Sequence, residues 1–373
     1  MSSSEPHAIN GNPSALLFDR AVDELRRGRA IQVQEKGRGL ILAAVETLQP
    51  PQFARVAAAA GRPLLFVTAE RAFAAGLTRQ LSGPVAISTP VETGLEELRA
   101  VAGVDDSGVV DAAAFTVDAA PESAALAAAA LQLAKAGRLV PALFGFVTDG
   151  RDAAGVLGIP LGDIKHHAPR FGHHALQLLS RARVPLADAV ESEIAVFRDE
   201  HSLAEHVAVV IGKPDATNAV PVRLHSACLT GDLLGSLRCD CGEQLRTAVA
   251  RIAALGGGVL LYLDQEGRGI GLPNKLRAYV LQDGGLDTVD ADQHLGFLAD
   301  ERSYDVAAAL LQELGYKRIS LLTNNPQKIN SLRDHGIEVV GRLPLVTTSN
   351  THNERYLRAK HERAGHLAEE SSG

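Results

Sequence analysis

All three cysteines of this 373-residue chain fall in one short stretch. Cys228 closes RLHSAC, and Cys239 and Cys241 share RCDC, a C-x10-C-x-C spacing. Thiolates are soft donors that select zinc over hard cations. The spacing is not the C-x2-C pair of a structural zinc finger. Three readings stand side by side. Free cysteines are commonly buried as small apolar residues, so these can be core. His225, three positions before Cys228, can complete a closed four-ligand structural site. Alternatively, three sulfurs hold an ion and leave a fourth corner for water, the arrangement of catalytic zinc, which brings the pKa of that water to ~7.

Other polar residues gather around the same region of sequence. Arg223, Arg238, Arg268, Lys275 and Arg277 fall in polar segments at strand–loop junctions. Singly, each reads as a solvated surface charge. Together with the glycine-rich QEGRGIGLPNK they suit an anion, because bare backbone N–H groups and guanidinium forks match phosphate oxygens. FLADERSYD places Asp300, Glu301 and Arg302 just ahead of a helix, where acids also simply complement the helix dipole. LLTNNPQKI ends a strand at Thr323 and starts a helix at Pro326. Ligands bind at the carboxyl ends of strands in α/β sheets, so these amides and hydroxyls can read a purine edge; Asn-Asn-Pro is equally plain turn chemistry.

The elements that must position these groups follow from composition and periodicity. A chain of 373 residues with 46% hydrophobic and 22% charged content suggests two globular domains. The net charge of −7 argues against a general nucleic-acid binder, so a phosphate ligand must meet a local cluster of cations. An odd cysteine count argues against a disulfide framework and for a reducing cytoplasm. The start MSSSEPHAINGNPS has neither the cationic nor the apolar segment of a secretory signal. AALAAAAL is a small-residue packing surface closely flanked by charges rather than a membrane span.

Residues 1–14 read as disordered. A first α/β domain, residues 15–185, is expected from a helix over 16–28, strand IQVQ, helix FARVAAAAG, strand PLLFVT, and helix ESAALAAAALQLAKAG leading into RLVPALFGFV. In the second half, SEIAVF and HVAVVIG predict antiparallel strands. LRTAVARIAALGG predicts a helix, GVLLYLD a buried strand, and NKLRAYVLQDGG a helix with Pro273 in its first turn. DVAAALLQELGY, RISLLTNN, PQKINSLRDHG and IEVVGR then alternate helix, strand, helix, strand, which predicts a parallel pair. The expected fold class is mixed α/β: two domains, each a mixed sheet with flanking helices, and a loose tail over 368–373. No internal repeat is visible.

RLHSACLTGDLLGSLRCDCGEQL, DQEGRGIGLPNKLRAYVLQDGGLDTV, LGFLADERSYD and LLTNNPQKI, in this order, closely resemble GTP cyclohydrolase II over residues 187–367. That family opens the imidazole ring of GTP in riboflavin synthesis. It releases formate and pyrophosphate and leaves 2,5-diamino-6-ribosylamino-4(3H)-pyrimidinone 5′-phosphate. The resemblance implies that Cys228, Cys239 and Cys241 hold one Zn²⁺. It implies that Arg223, Leu224, His225, Ser226, Gln244, Glu266, Gly267, Arg268, Thr288, Thr323 and Lys328 hold GTP. It makes Asp300 a proton acceptor, Arg302 the group acting at the α-phosphorus, and Tyr279 a neighbour of the reacting ring. It further implies Mg²⁺ on the pyrophosphate, a homodimer, and no nucleic-acid or membrane partner. The chain departs from the family at Ala227, where Glu is usual, and at Asp264, where Arg is usual. A related cyclohydrolase with another product or substrate is one alternative. A non-catalytic zinc module that binds nucleotides as a regulator is the other, and it would need a closed four-ligand site and a basic face.

The first half resembles 3,4-dihydroxy-2-butanone 4-phosphate synthase, on FDRAVDELRRGRAIQVQ and PRFGHHALQLLSRA. That chemistry needs a loop of clustered acids to hold Mg²⁺. Here EKGRGLILAA, residues 35–44, keeps only Glu35, and His174 and Ala175 replace Thr and Glu of the family's GHTEA. His166, His167, His173 and His174 read as a residual loop or, alternatively, as metal ligands. The expectation is a domain that has lost synthase activity.

Overall fold

The computed structural model describes residues 13–58, 62–79, 82–90, 92–105, 112–118, 121–167, 176–199 and 204–345. The expectations for residues 1–12, for His173 and His174, and for the tail lie outside them. The described residues fall into two compact units. One takes those up to 170 together with 277–281 and 290–299, and the other takes the remainder.

The first unit is built on seven strands: β1 (Ile31–Glu35), β2 (Arg38–Ala44), β3 (Leu64–Thr68), β4 (Pro84–Ser88), β5 (Thr116–Asp118), β6 (Ala142–Thr148) and β7 (Leu157–Pro160). Their order is β5-β4-β3-β6-β2-β1-β7, antiparallel except for β1 with β7. Strand periodicity sorts side chains to two faces. Leu40, Leu42 and Ala44 join Phe18, Leu25 and Leu133 in one core, while Ala43 joins Leu65, Ile87 and Leu98 in the other. The Ala-rich run forms the helix Ala124–Ala136 and buries Leu126, Ala127, Ala130 and Ala134. Stretch 35–44 is a hairpin tip followed by a buried strand. Lys36 (φ 33°) and Gly37 (φ 79°) both take the left-handed turn that matches strand twist.

Buried Arg71 holds this unit's late segments. It donates to the carbonyls of Val101 (2.8 Å), Ala100 (2.9 Å) and His294 (2.8 Å). The Thr68 hydroxyl donates to the Gly296 carbonyl at 2.8 Å, and Arg277 pairs with Glu46 at 2.9 Å.

The second unit also has seven strands: β8 (Leu176–Arg183), β9 (Ser192–Asp199), β10 (Glu205–Gly212), β11 (Val220–Ser226), β12 (Gly257–Leu263), β13 (Arg318–Leu322) and β14 (Glu338–Leu343). The order is β14-β13-β11-β12-β10-β9-β8. β14, β13, β11 and β12 are parallel, and β12, β10, β9 and β8 are antiparallel. The predicted antiparallel β9–β10 and parallel β13–β14 pairs are both present. Between β13 and β14 runs the helix Pro326–Asp334, capped by the Asn325 side chain, which accepts from Gln327 N–H at 2.8 Å. Strand β11 puts Val220, Val222 and Leu224 into the core and buries Arg223 and His225 as well. The carboxyl ends of β11, β12 and β13 share one edge, and the motif residues follow directly from them.

Candidate active site

Cys228 lies just past the end of β11, before the turn Leu229–Leu233. Cys239 follows on the connecting loop, and Cys241 is the first residue of the helix Cys241–Ala254. The expected helix therefore starts four residues earlier than its apolar periodicity indicated. The three sulfurs all lie within 4.8 Å of one another, and Cys228 Sγ is 3.7 Å from Cys239 Sγ. Zn–S bonds of about 2.3 Å in tetrahedral geometry require a sulfur–sulfur edge of about 3.8 Å, so the cluster fits zinc. Gly231 makes this convergence possible. A Cβ there would stand 2.8 Å from Cys239 Sγ and 3.1 Å from Cys228 Sγ.

The Cys228 sulfur gathers hydrogen bonds from its neighbours. Hydrogen bonds from Cys239 and Cys241, more than from Lys275, pull its pKa far below the ordinary thiol range. Cys239, beside that sulfur, is pushed up.

His225 is not part of the cluster. Its Nε2 meets the Asp232 carboxylate at 3.0 and 3.1 Å, and its ring stacks on Tyr262 with centroids 5.6 Å apart. Burial lowers its pKa against the pull of Asp232, so the neutral ring donates. Asp232 also accepts from the Tyr262 hydroxyl (3.0 Å) and the Cys228 N–H (2.9 Å), which fixes the loop carrying the first sulfur. The Glu266 carboxylate holds the same loop through Leu229 N–H at 2.6 Å.

Arg223, on β11, is buried. Its Nη1 donates to the Leu322 carbonyl (3.0 Å) and its Nη2 to Gln244 Oε1 (2.6 Å). Gln244 in turn donates to Asp240, the residue before Cys241, at 2.6 Å. Burial brings the Arg223 pKa down to about 10, so the group stays charged at neutral pH. Lys328 donates to the Leu224 carbonyl at 3.0 Å and stands 5.3 Å from the centre of the Tyr304 ring. Arg302 stands 5.5 Å from that same ring. Asp300 accepts from Arg302 three times: from its N–H (3.0 Å), Nε (2.8 Å) and Nη2 (2.6 Å). Burial raises the Asp300 pKa, but the Arg302 hydrogen bonds and charge outweigh it and leave the carboxyl below its usual range. Arg223 Nε and the Tyr304 hydroxyl are buried polar atoms with no hydrogen-bond partner among the described residues.

The remaining expected residues are placed as follows. Thr323 accepts from Asn325 N–H at 3.0 Å, and the Ser226 hydroxyl donates to Gln265 at 3.4 Å. Leu224 belongs to the core. Gly267 and Arg268 take left-handed φ of 62° and 61°, bending the glycine-rich loop. Thr288 opens the short helix Thr288–His294, and half-buried Tyr279 lies on the helix Leu272–Asp283. Ala227 N–H bonds the Leu263 carbonyl at 2.8 Å, and Asp264 N–H bonds His206 Nδ1 at 3.2 Å. Arg238 is paired with Asp283 at 2.5 Å. Sequence reasoning missed Gly231, Asp232, Asp240, Tyr262 and Tyr304. Only their proximity to the cysteine and DERSYD motifs marked them.

Three cysteines converging at the carboxyl edge of a mixed sheet, with buried Arg223 and Lys328 on the same edge, offer donors for a soft metal ion and for an anion. The GTP cyclohydrolase II family model matches residues 178–344. The chain is 42% identical over 381 residues to the GTP cyclohydrolase-2 of Azospirillum brasilense, covering 98% of each. It is 53% identical over 174 residues to that of Shewanella amazonensis, covering 47% of this chain and 85% of the relative. A two-domain 3,4-dihydroxy-2-butanone 4-phosphate synthase from A. baumannii matches at TM-score 0.30 and 15% identity, over 89% of this chain and 99% of that one, too slight a likeness to assign either unit. The chain belongs to the GTP cyclohydrolase II family, the riboflavin-pathway enzymes whose substrate is GTP. Among the described residues no helix is long and apolar enough to cross a membrane.

Proposed function

We propose that this chain opens the imidazole ring of GTP, releases formate and pyrophosphate, and leaves 2,5-diamino-6-ribosylamino-4(3H)-pyrimidinone 5′-phosphate. The observation that carries the reading is the convergence of Cys228, Cys239 and Cys241 around Gly231, at spacings that suit one Zn²⁺. When bound, zinc supplies Lewis acidity and makes water acidic enough to act as a nucleophile near neutral pH.

The protein's own groups then divide the work. Arg302, clamped by Asp300, presents a fixed guanidinium to the phosphoryl group, where it stabilises charge. A guanidinium keeps its proton, which makes it a poor nucleophile. Asp300 is an anion at neutral pH with both oxygens engaged by Arg302, so it orients that cation and receives a proton only if the pair opens. Arg268 and Lys328 meet phosphate, Gln244, Thr288 and Thr323 meet the nucleoside, and Tyr279 meets the reacting ring. Leu224 and His225 act from behind, the first through its carbonyl to Lys328 and the second through Asp232. Arg223 supports Gln244, and Glu266 and Gly267 shape the loop. Mg²⁺, when bound, would offset charge on the pyrophosphate, whose oxygens suit a hard cation.

The cyclohydrolase domain spans residues 187–367, and the domain over 15–185 has no synthase activity. Its stretch 35–44 offers Glu35 alone, exposed at a hairpin tip. The three closely placed thiols suit a reducing cytoplasm. Mass spectrometry of GTP incubated with zinc-supplied protein tests the reading. Formate with the pyrimidinone monophosphate is expected, whereas a retained formyl group or untouched GTP would overturn it.

A further inference from the structure

Lys275, on the helix Leu272–Asp283, has an ammonium placed among three acceptors: Cys228 Sγ at 3.0 Å, Thr230 Oγ1 at 2.9 Å and Glu266 Oε1 at 2.9 Å. From this geometry we infer that Lys275 is a positioning residue of the metal centre, tying the first sulfur to Glu266 and setting how much charge that sulfur gives the ion. The inference rests on the three-thiolate reading above.

An ammonium has three N–H donors, and these three acceptors match them. The pair with Glu266 is no surface decoration, since only 11% and 10% of the two side chains are exposed. Exposed ion pairs are loosely held, whereas one this enclosed keeps its geometry. The glycine-rich loop is shaped to admit the lysine. A Cβ at Gly267 would stand 3.0 Å from Lys275 Cβ, and Gly267 already takes a left-handed φ that suits glycine. The Cys228 sulfur also accepts from Gly231 N–H at 3.3 Å. It is thus the sulfur with a neighbouring cation and a backbone donor together.

Three thiolates carry three negative charges against two positive on the ion; the Lys275 ammonium lies against one of those sulfurs and is itself held by the Glu266 carboxylate. Donation to a thiolate withdraws electron density from it, so the ion it binds remains a stronger Lewis acid. Glu266 Oε2 holds Leu229 N–H, so one carboxylate fixes both the lysine and the loop bearing Cys228. Lysine provides a compact point charge here, where the flat fork of arginine would spread it.

Cobalt(II)-loaded full-length protein tests this through its sulfur-to-cobalt charge-transfer absorption. Lys275→Met should move that band to longer wavelength and speed alkylation of the metal-loaded cysteines. It should lower kcat by about 10- to 100-fold while KM for GTP changes little. Lys275→Arg, which keeps a charged donor, should return the band toward its native position. Should Lys275→Met fold poorly because Glu266 is left alone, the Lys275→Met/Glu266→Gln double variant removes the stranded charge and should show the same band shift. An unmoved band in either folded, cobalt-loaded variant overturns the inference while leaving the three-thiolate site intact. No thiolate–cobalt band in the native chain overturns both.

Discussion

A methyl group at position 231 would stand 2.8 Å from the Cys239 sulfur, closer than any real carbon lies. Gly231→Ala should therefore spread the sulfurs. The expected outcome is zinc content well below one per chain and a parallel loss of turnover, with a stability cost of about 1–3 kcal/mol from overpacking. Full zinc content by elemental analysis would contradict it. His225 gives a second prediction at this scale. Burial lowers its pKa from 6.5 in the folded state, more than Asp232 restores. The unfolded chain then binds more protons between the folded pKa and 6.5, so stability is complete above that window and declines as pH falls through it. Urea unfolding across this range should show the decline in the native chain and a flatter profile in His225→Gln. The three cysteines were legible in the sequence from type and spacing alone. Asp232 and Tyr262 were silent, because LTGD reads as a turn and GVLLYLD as a buried strand. Their meeting depends on the register of β11 against β12.

Among elements, the segment ahead of the helix Asp305–Glu313 shows how a short loop stores function. Asp300 and Arg302 are two residues apart, and backbone and guanidinium of one bond the carboxylate of the other. Asp300→Asn removes the charge and one acceptor. Hydrogen bonds to charged groups contribute about 1.5–3 kcal/mol, so kcat/KM for GTP should fall about 10- to 100-fold. An unchanged value in steady-state kinetics would mean that Arg302 finds its position without the pair. Strands with clean patterns, β9, β10, β13 and β14, were readable from sequence. The hairpin partner β2 was not, since RGLILAA is one continuous apolar run whose two faces are both buried. The start of the helix Cys241–Ala254 was misplaced because CDCGE has no apolar period. Asp240 and Cys241 belong to the helix end through chemistry rather than hydrophobicity.

At the scale of the whole molecule, the cysteine-bearing loop carries Leu233, Leu234 and Leu237 at 73%, 70% and 59% exposure. Three large apolar side chains in five residues of one loop suit burial against a second copy of the chain. Under that reading the native chain sediments as a dimer and replacing all three with Asn shifts it toward monomer; a monomeric native chain or an unshifted dimer would contradict it. The overall α/β class was legible from alternating elements. The grouping of residues 277–281 and 290–299 with the first unit was not. It rests on pairs such as Thr68 with Gly296 and Arg71 with His294, which are 228 and 223 positions apart in sequence. No periodicity reports a hydrogen bond across such a span.

X-ray absorption at the zinc edge of the purified, zinc-supplied protein addresses the central claim most directly. The account predicts one zinc per chain with three sulfur neighbours at about 2.3 Å and one light atom supplied by solvent. A fourth protein ligand in that shell, or no stoichiometric zinc at all, would contradict it.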